Sequence, residues 1–288
     1  MQGTVDGFSY GLVTPLVAYV MACLGGALGL RCTTRSMLVA HSWRAGWLAL
    51  GSAAIASGIW TMHFIAMMGF SVKETPVHYD KPTTFASLGV AIVMVGIGIF
   101  IVGYRGATGT ALFTGGTITG LGVASMHYLG MAGMRLNGKL EYNTLTVSAS
   151  VVIAVVAATA ALWAAGQVRG FLWSVGASLV MGLAVSGMHY TGMAALSVHL
   201  HGTSSSPGGD SAAALLAPMM IGPLVFLCLA GVVVMFDPLM VMGKPDWTPT
   251  QHRPGVPAHS TAPYAGRRPL PRTGRDRGHR SSRTPQNW

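Results

Sequence analysis

Seven long apolar runs divide the first 236 residues, at approximately 8–30, 47–70, 85–104, 112–134, 144–165, 171–198 and 215–236. Each has the roughly 20 residues that a helix needs to cross about 30 Å of hydrocarbon. A chain of 288 residues could not cover seven such helices inside a soluble core, so the pattern predicts an all-α, polytopic membrane protein with seven transmembrane helices. The second, fourth and sixth runs share a finer stripe. Ser52 and Ala56 stand eleven and seven residues before His63, Gly116 and Gly120 before His127, and Ser178 and Gly182 before His189. At 100° per helical residue these small side chains fall within about 20° of the His direction. Ile59, Val123 and Val185, four residues before each His, lie on the same stripe, as do Met67, Met131 and Met193, four residues after.

The stripe marks an internal repeat. Thr61-Met62-His63-Phe64-Ile65-Ala66-Met67 is matched by Ser125-Met126-His127-Tyr128-Leu129-Gly130-Met131 and by Gly187-Met188-His189-Tyr190-Thr191-Gly192-Met193, with histidines 64 and 62 residues apart. Three helix pairs, about 8–70, 85–134 and 144–198, run in the same sense, so parallel repeats about an axis along the membrane normal are the economical arrangement. The seventh helix, 215–236, stands outside them. Packing of the even helices through their small residues would bring three His and three Met together near one membrane surface.

Composition agrees, with 51% hydrophobic and 9% charged residues. The net charge of +10 would suggest a nucleic-acid partner if it were spread over the chain, but half of the Lys and Arg lie from Lys244 onward. The segment 237–288 is rich in Pro, Arg, Gly and Ser, too poor in apolar residues to offset its ordering entropy, and is expected to be a disordered basic tail attracted to anionic lipid head groups. No nucleic acid is expected. Arg31, Arg35, Arg44, Arg105 and Arg169 fall on the side of that tail, against Lys73, Lys81, Arg135 and Lys139 on the other. The positive-inside rule then sets the N-terminus outside and the tail in the cytoplasm of a plasma-membrane protein. The Ser/Gly-rich loop His201–Asp210 reads as mobile and outward. Cys23, Cys32 and Cys228 form no metal-binding or disulfide pattern and read as packing.

Imidazole binds copper, zinc, iron or nickel, whereas a thioether is soft and selects copper, Cu(I) above all. A cluster of His63, Met67, His127, Met131, His189 and Met193 without carboxylates therefore suits copper. Met62, Met126 and Met188 point about 100° away and are lesser candidates. Against this stands plain packing, since a His can hydrogen-bond across helices and a Met can fill space. The aromatic after each His, Phe64, Tyr128 or Tyr190, reads as part of an interfacial belt. His78, His199 and His201 read as outward loop residues, and His41 lies at the opposite end. No intramembrane carboxylate or lysine is present as a proton relay, so no enzyme activity is expected.

The triple Met-His-Tyr/Phe repeat resembles the MHYT domain family of bacterial integral-membrane signalling modules, over about 8–198. The resemblance implies a sensor of a diatomic gas, oxygen, carbon monoxide or nitric oxide, through copper held by the six motif His and Met residues. Members often carry a cyclic-dinucleotide enzyme or kinase domain after the membrane part. With a short tail here, a signal is expected to pass to a separate cytoplasmic partner. The alternatives are a copper-handling protein that stores or transfers the ion, and a structural role for the motifs with no metal.

Overall fold

The computed structural model describes residues 3–7, 9–72, 74–167, 171–200 and 212–237. These belong to one of the chain's two units, Met1–Gly243; the other, Lys244–Trp288, falls outside them, as do most of the basic tail, the loop His201–Asp210, Lys73 and Arg169. In chain order the elements are β1 Val5–Asp6, α1 Val13–Ser36, α2 His41–Met68, β2 Ser71–Val72, β3 His78–Tyr79, α3 Lys81–Arg105, α4 Gly109–Ala132, β4 Met134–Arg135, β5 Gly138–Tyr142, α5 Thr144–Gln167, α6 Phe171–Ala194, β6 Leu196–Leu200 and α7 Ala212–Met235. The protein is an all-helical, multi-pass membrane protein. Among the described residues, six of the seven helices are long and apolar enough to cross a bilayer. The exception, α4, is diluted by Gly and Thr, whose small side chains serve packing rather than hydropathy.

The helix ends follow from local chemistry. Asp80 caps α3 by accepting from the backbone N–H of Thr83, with Pro82 in the first turn where no donor is needed. Gly106, at a φ of 76°, ends α3 in the left-handed region that glycine adopts without penalty. Thr108 then caps α4 through the N–H of Ala111. The two helices of the first pair approach so closely that a Cβ on Gly58 would stand 2.6 Å from Cα of Gly25.

Around the bundle α1 packs on α2, α2 on α3, α3 on α4, α4 on α5, α5 on α6 and α6 on α1, which closes a ring of six helices; α7 lies outside it against α2 and α1. Each pair is tied by its own antiparallel ribbon: β1 to β2 with Val5 opposite Val72, β3 to β4 with His78 opposite Arg135, and β5 to β6 from Gly138 opposite Leu200 to Tyr142 opposite Leu196. The repeating unit is therefore strand, helix, helix, strand. All three ribbons lie at one end of the bundle, beside the three motifs.

The ribbons correct the apolar-run boundaries. The run 171–198 is not one helix, because α6 stops at Ala194 and Leu196–Leu200 is a strand whose Val198 and Leu200 face inward. The first run begins at residue 8, but α1 occupies Val13–Ser36. The bulkiest fully buried side chains, among them Trp60, Phe64, Phe70, Met62, Met67, Met126, Met131 and Met188, are concentrated in and around the motifs.

Candidate metal centre

Each motif His stands five residues before the end of its helix, His63 in α2, His127 in α4 and His189 in α6. With the ring closed, that common depth brings the three together. All are buried, at 1%, 1% and 2% exposure. Their Nδ1 atoms form a triangle with edges of 3.0 Å (His63–His189), 3.2 Å (His63–His127) and 3.3 Å (His127–His189). The rings stand at 81°, 77° and 88° to one another, an arrangement like the blades of a propeller.

Hydrogen bonding alone cannot satisfy this triangle. A ring nitrogen offers one in-plane position, either a proton or a lone pair, so at least two of the three Nδ1 atoms are alike and the contact between those two holds no hydrogen bond. A cation bound by three lone pairs satisfies all of them at once. Metal–imidazole bonds are about 2.0–2.1 Å, and at tetrahedral angles they set the ligand nitrogens about 3.3–3.4 Å apart. The observed edges match that spacing to within a few tenths of an ångström. Among the described residues, these three His form the one group of His, Cys, Asp or Glu side chains positioned to share an ion.

The second nitrogens pack against glycine. A Cβ at Gly130 would lie 2.7 Å from Nε2 of His63, and one at Gly192 would lie 2.4 Å from Nε2 of His127. Neither Nε2 has a hydrogen-bond partner among the described residues. The glycine three places past the His is thus what admits the neighbouring ring, and Ala66 occupies the corresponding position in the first motif. That role is visible in the sequence as a recurring small residue at this offset, although its contact with another copy's His is not.

Met67 and Met131 are buried, each at 1% exposure, one helical turn from the imidazoles toward the ribbon end; Met193 is half-buried. Met62, Met126 and Met188 are also fully buried. Phe64 is enclosed in the core rather than part of an interfacial belt, and all three aromatics pack on imidazoles. Each lies edge-on to its own His, with ring centroids 4.6 Å apart for Phe64, 4.8 Å for Tyr128 and 5.0 Å for Tyr190. Phe64 is fully buried, and the Tyr128 hydroxyl shares a 2.6 Å hydrogen bond with Ser150. They wall the imidazoles off from lipid and water. Trp60, one turn before His63, extends the wall by donating its indole N–H to Ser87 Oγ at 3.0 Å. At the rim, Tyr79 packs on Phe64 and burial raises its hydroxyl pKa. His78 and His199 lie on the ribbons, His199 being 3.7 Å from Glu141, and take no part in the triangle; His41 begins α2 at the opposite end. His201 lies outside the described residues.

Toward the opposite end, an apolar cavity of about 50 Å³ opens inside the ring. Ile59, Val123 and Val185, each one turn from its His, line it together with Met188.

Residues 57–115 and 120–178 match the MHYT family, described as a bacterial signalling protein N-terminal repeat. The chain belongs to the MHYT family. The two matched segments contain His63 and His127, and the triangle ties the third motif, His189, to them as an equivalent member. The chain is similar to the bifunctional diguanylate cyclase/cyclic di-GMP phosphodiesterase MucR of Pseudomonas aeruginosa, 34% identical over 235 residues, 80% of this chain and 34% of that protein. It also resembles the cyclic di-GMP phosphodiesterase NbdA of the same organism, 32% identical over 209 residues, 68% of this chain and 26% of NbdA. The signaling protein YkoW of Bacillus subtilis is 32% identical over 160 residues, 53% of this chain and 20% of YkoW. The chain thus spans about a third or less of these relatives' lengths. No solved structure matches it. This MHYT domain is a membrane signalling module.

Proposed function

We propose that this MHYT protein senses a diatomic gas, oxygen, carbon monoxide or nitric oxide, through one copper ion held by His63, His127 and His189 near the outer face of the membrane. The observation that carries the reading is the buried Nδ1 triangle, with edges of 3.0–3.3 Å. Copper is favoured over zinc by the donor set, imidazole with the thioethers of Met67, Met131 and Met193 close by in sequence and no carboxylate in the cluster. The chain's own residues hold the neutral imidazoles at ligand spacing, exclude water with Phe64, Tyr128 and Tyr190, and leave apolar room in the ring for a small uncharged molecule. When bound, copper supplies a coordination position that a diatomic ligand can take.

Two of the relatives, MucR and NbdA, are named for cyclic di-GMP turnover, and the output proposed for this domain is a cytoplasmic signalling partner reached from the helix ends opposite the ribbons. Sensing further requires that ligand binding favour one of two helix arrangements. The protein, purified in lipid nanodiscs, is analysed for metal and titrated with carbon monoxide and nitric oxide under optical and spin-resonance detection. One copper per chain and a gas-dependent spectrum are expected, both lost in His127→Ala. Tight copper with an unchanging spectrum would make the protein a copper store or carrier instead. Absence of copper from folded protein incubated with Cu(I) would end the reading.

A further inference from the structure

The ring holds three similar helix pairs, and α7, which also touches β3, packs chiefly on the helices of the first. Its seat there consists of Leu28 and Cys32 on α1 and Trp47, Leu50 and Ala54 on α2, which cluster with Leu227, Ala230 and Val234 of α7. Arg35 fastens the seat by pairing with Asp237 just past α7, its guanidinium 5.6 Å from the centroid of the Trp47 ring.

The internal repeat allows the same seat to be located in the third pair. His63 and His189 are 126 residues apart, and that offset carries Trp47, Leu50 and Ala54 onto Trp173, Gly176 and Val180 of α6. A close approach fixes the odd helices: a Cβ on Gly182 would meet Cys23 of α1 just as one on Gly120 would meet Val155 of α5. Cys23 therefore corresponds to Val155, and Leu28, Cys32 and Arg35 correspond to Ala160, Ala164 and Gln167. All six corresponding residues line one groove of about 690 Å³ between α5 and α6.

The second pair differs. Gly98 approaches the carbonyl of Gly115 as Gly29 approaches that of Gly51, which sets Ile97 and Ile101 at the positions of Leu28 and Cys32. Branched side chains thus stand where the third pair has only alanine. An apolar face is ordinary in a bilayer, whereas a hollow at the place where this fold already seats a helix is not.

We propose that this groove docks a second copy of the chain, two copies meeting through α5 and α6 about a twofold axis. The charge pattern selects that occupant. The first seat takes a helix with an acidic end because Arg35 is there, and Gln167 in the third seat calls for an uncharged helix. Neither α5 nor α6 contains a charged residue over Thr144–Gln167 or Phe171–Ala194. The face is also self-complementary. Trp163 and Trp173, 55% and 72% exposed, rise beside a floor of alanines, so the twofold lays each copy's indoles over the other's small residues, which admit close helix approach.

The test is energy transfer between fluorescently labelled copies of the full chain in lipid vesicles at graded protein-to-lipid ratios, beside native mass spectrometry. Wild type is expected to dimerise. Ala160→Ile with Ala164→Ile, which copies Ile97 and Ile101, weakens the dimer at least tenfold while copper content and helical circular dichroism stay unchanged, and Ile97→Ala with Ile101→Ala leaves the dimer intact. In a Cys228→Ala background, Ala164→Cys links two copies through a bis-maleimide and Ile101→Cys does not. A monomer at every ratio, a dimer indifferent to the double isoleucine, linking only at position 101, or a lipid acyl chain retained in the groove of a monomer would each overturn the proposal.

Discussion

Replacing Gly192 by Ala tests whether the triangle is a ligand set or only a packing feature. The added Cβ would lie 2.4 Å from Nε2 of His127, 3.0 Å from Cδ2 and 3.3 Å from Cε1, where ordinary contact begins at 3.4 Å. The ring must give way by about 1 Å, since overlap of that size lies far up the repulsive wall. It cannot retreat toward the axis, where the Nδ1 atoms of His63 and His189 already stand at 3.2 and 3.3 Å, so it turns out of the triangle. Metal sites tolerate about 0.2 Å in ligand distance, and disturbing the groups that support a ligand costs about 10–100-fold in metal affinity, or about 1.4–2.7 kcal/mol. Stability moves much less. Overpacking costs about 1–3 kcal/mol, and the gain in helix propensity from Gly to Ala returns about 1 kcal/mol. Gly187, on the same helix with nothing within 4 Å of its would-be Cβ, is the control, because Gly187→Ala gains propensity without touching a ring. Copper affinity is measured by competition with a Cu(I) chelator and stability by thermal unfolding, both in detergent. Folded Gly192→Ala protein with wild-type copper affinity would refute the assignment of His127 as a ligand.

Three further outcomes are expected. Trp60→Phe leaves Ser87 Oγ without its indole donor in a site where Trp60 and Ser87 are fully buried; about 1–3 kcal/mol of stability is lost, read from the melting temperature. Asp80 accepts from the Thr83 hydroxyl and from its N–H, and those bonds hold its carboxyl below the usual range. Its capping contribution is therefore complete above the ordinary carboxylate pKa and fades as the pH falls through the lowered folded value. Asp80→Asn removes that acid-side dependence while keeping a cap, and a melting-temperature profile from neutral to acid pH checks it. Arg35→Ala removes the guanidinium from Asp237 and from the face of Trp47, and a lower melting temperature than wild type is expected.

The sequence carried the helices and the meeting of the histidines, and it did so for a mechanical reason. A His five residues before each helix end, behind small residues at −11 and −7, fixes depth and facing together, so closing the ring does the rest. Strand pairing was not legible: Leu196, Val198 and Leu200 continue the apolar run of α6, and only their partners on Leu140 and its neighbours, more than fifty residues away, turn them into a ribbon. The burial of Phe64 was not legible, because hydropathy reports depth along the normal and says nothing of whether a side chain faces lipid or a neighbouring imidazole. The helix-seating groove was hidden in single alanines whose meaning depends on what fills the corresponding place in the other pairs.

The ribbons also set the mechanics of the bundle. At the rim beside the motifs they tie the two helices of each pair to one another, and turns such as 37–40 and 106–108 join them at the opposite rim, so a pair tilts as one lever arm about its ribbon. A helix of 24 residues such as α4 or α6 is about 36 Å long, so a tilt of about 5° at the ribbon sweeps its far end through about 3 Å. A displacement too small to register among the imidazoles arrives at the opposite surface as a shift the size of a side chain.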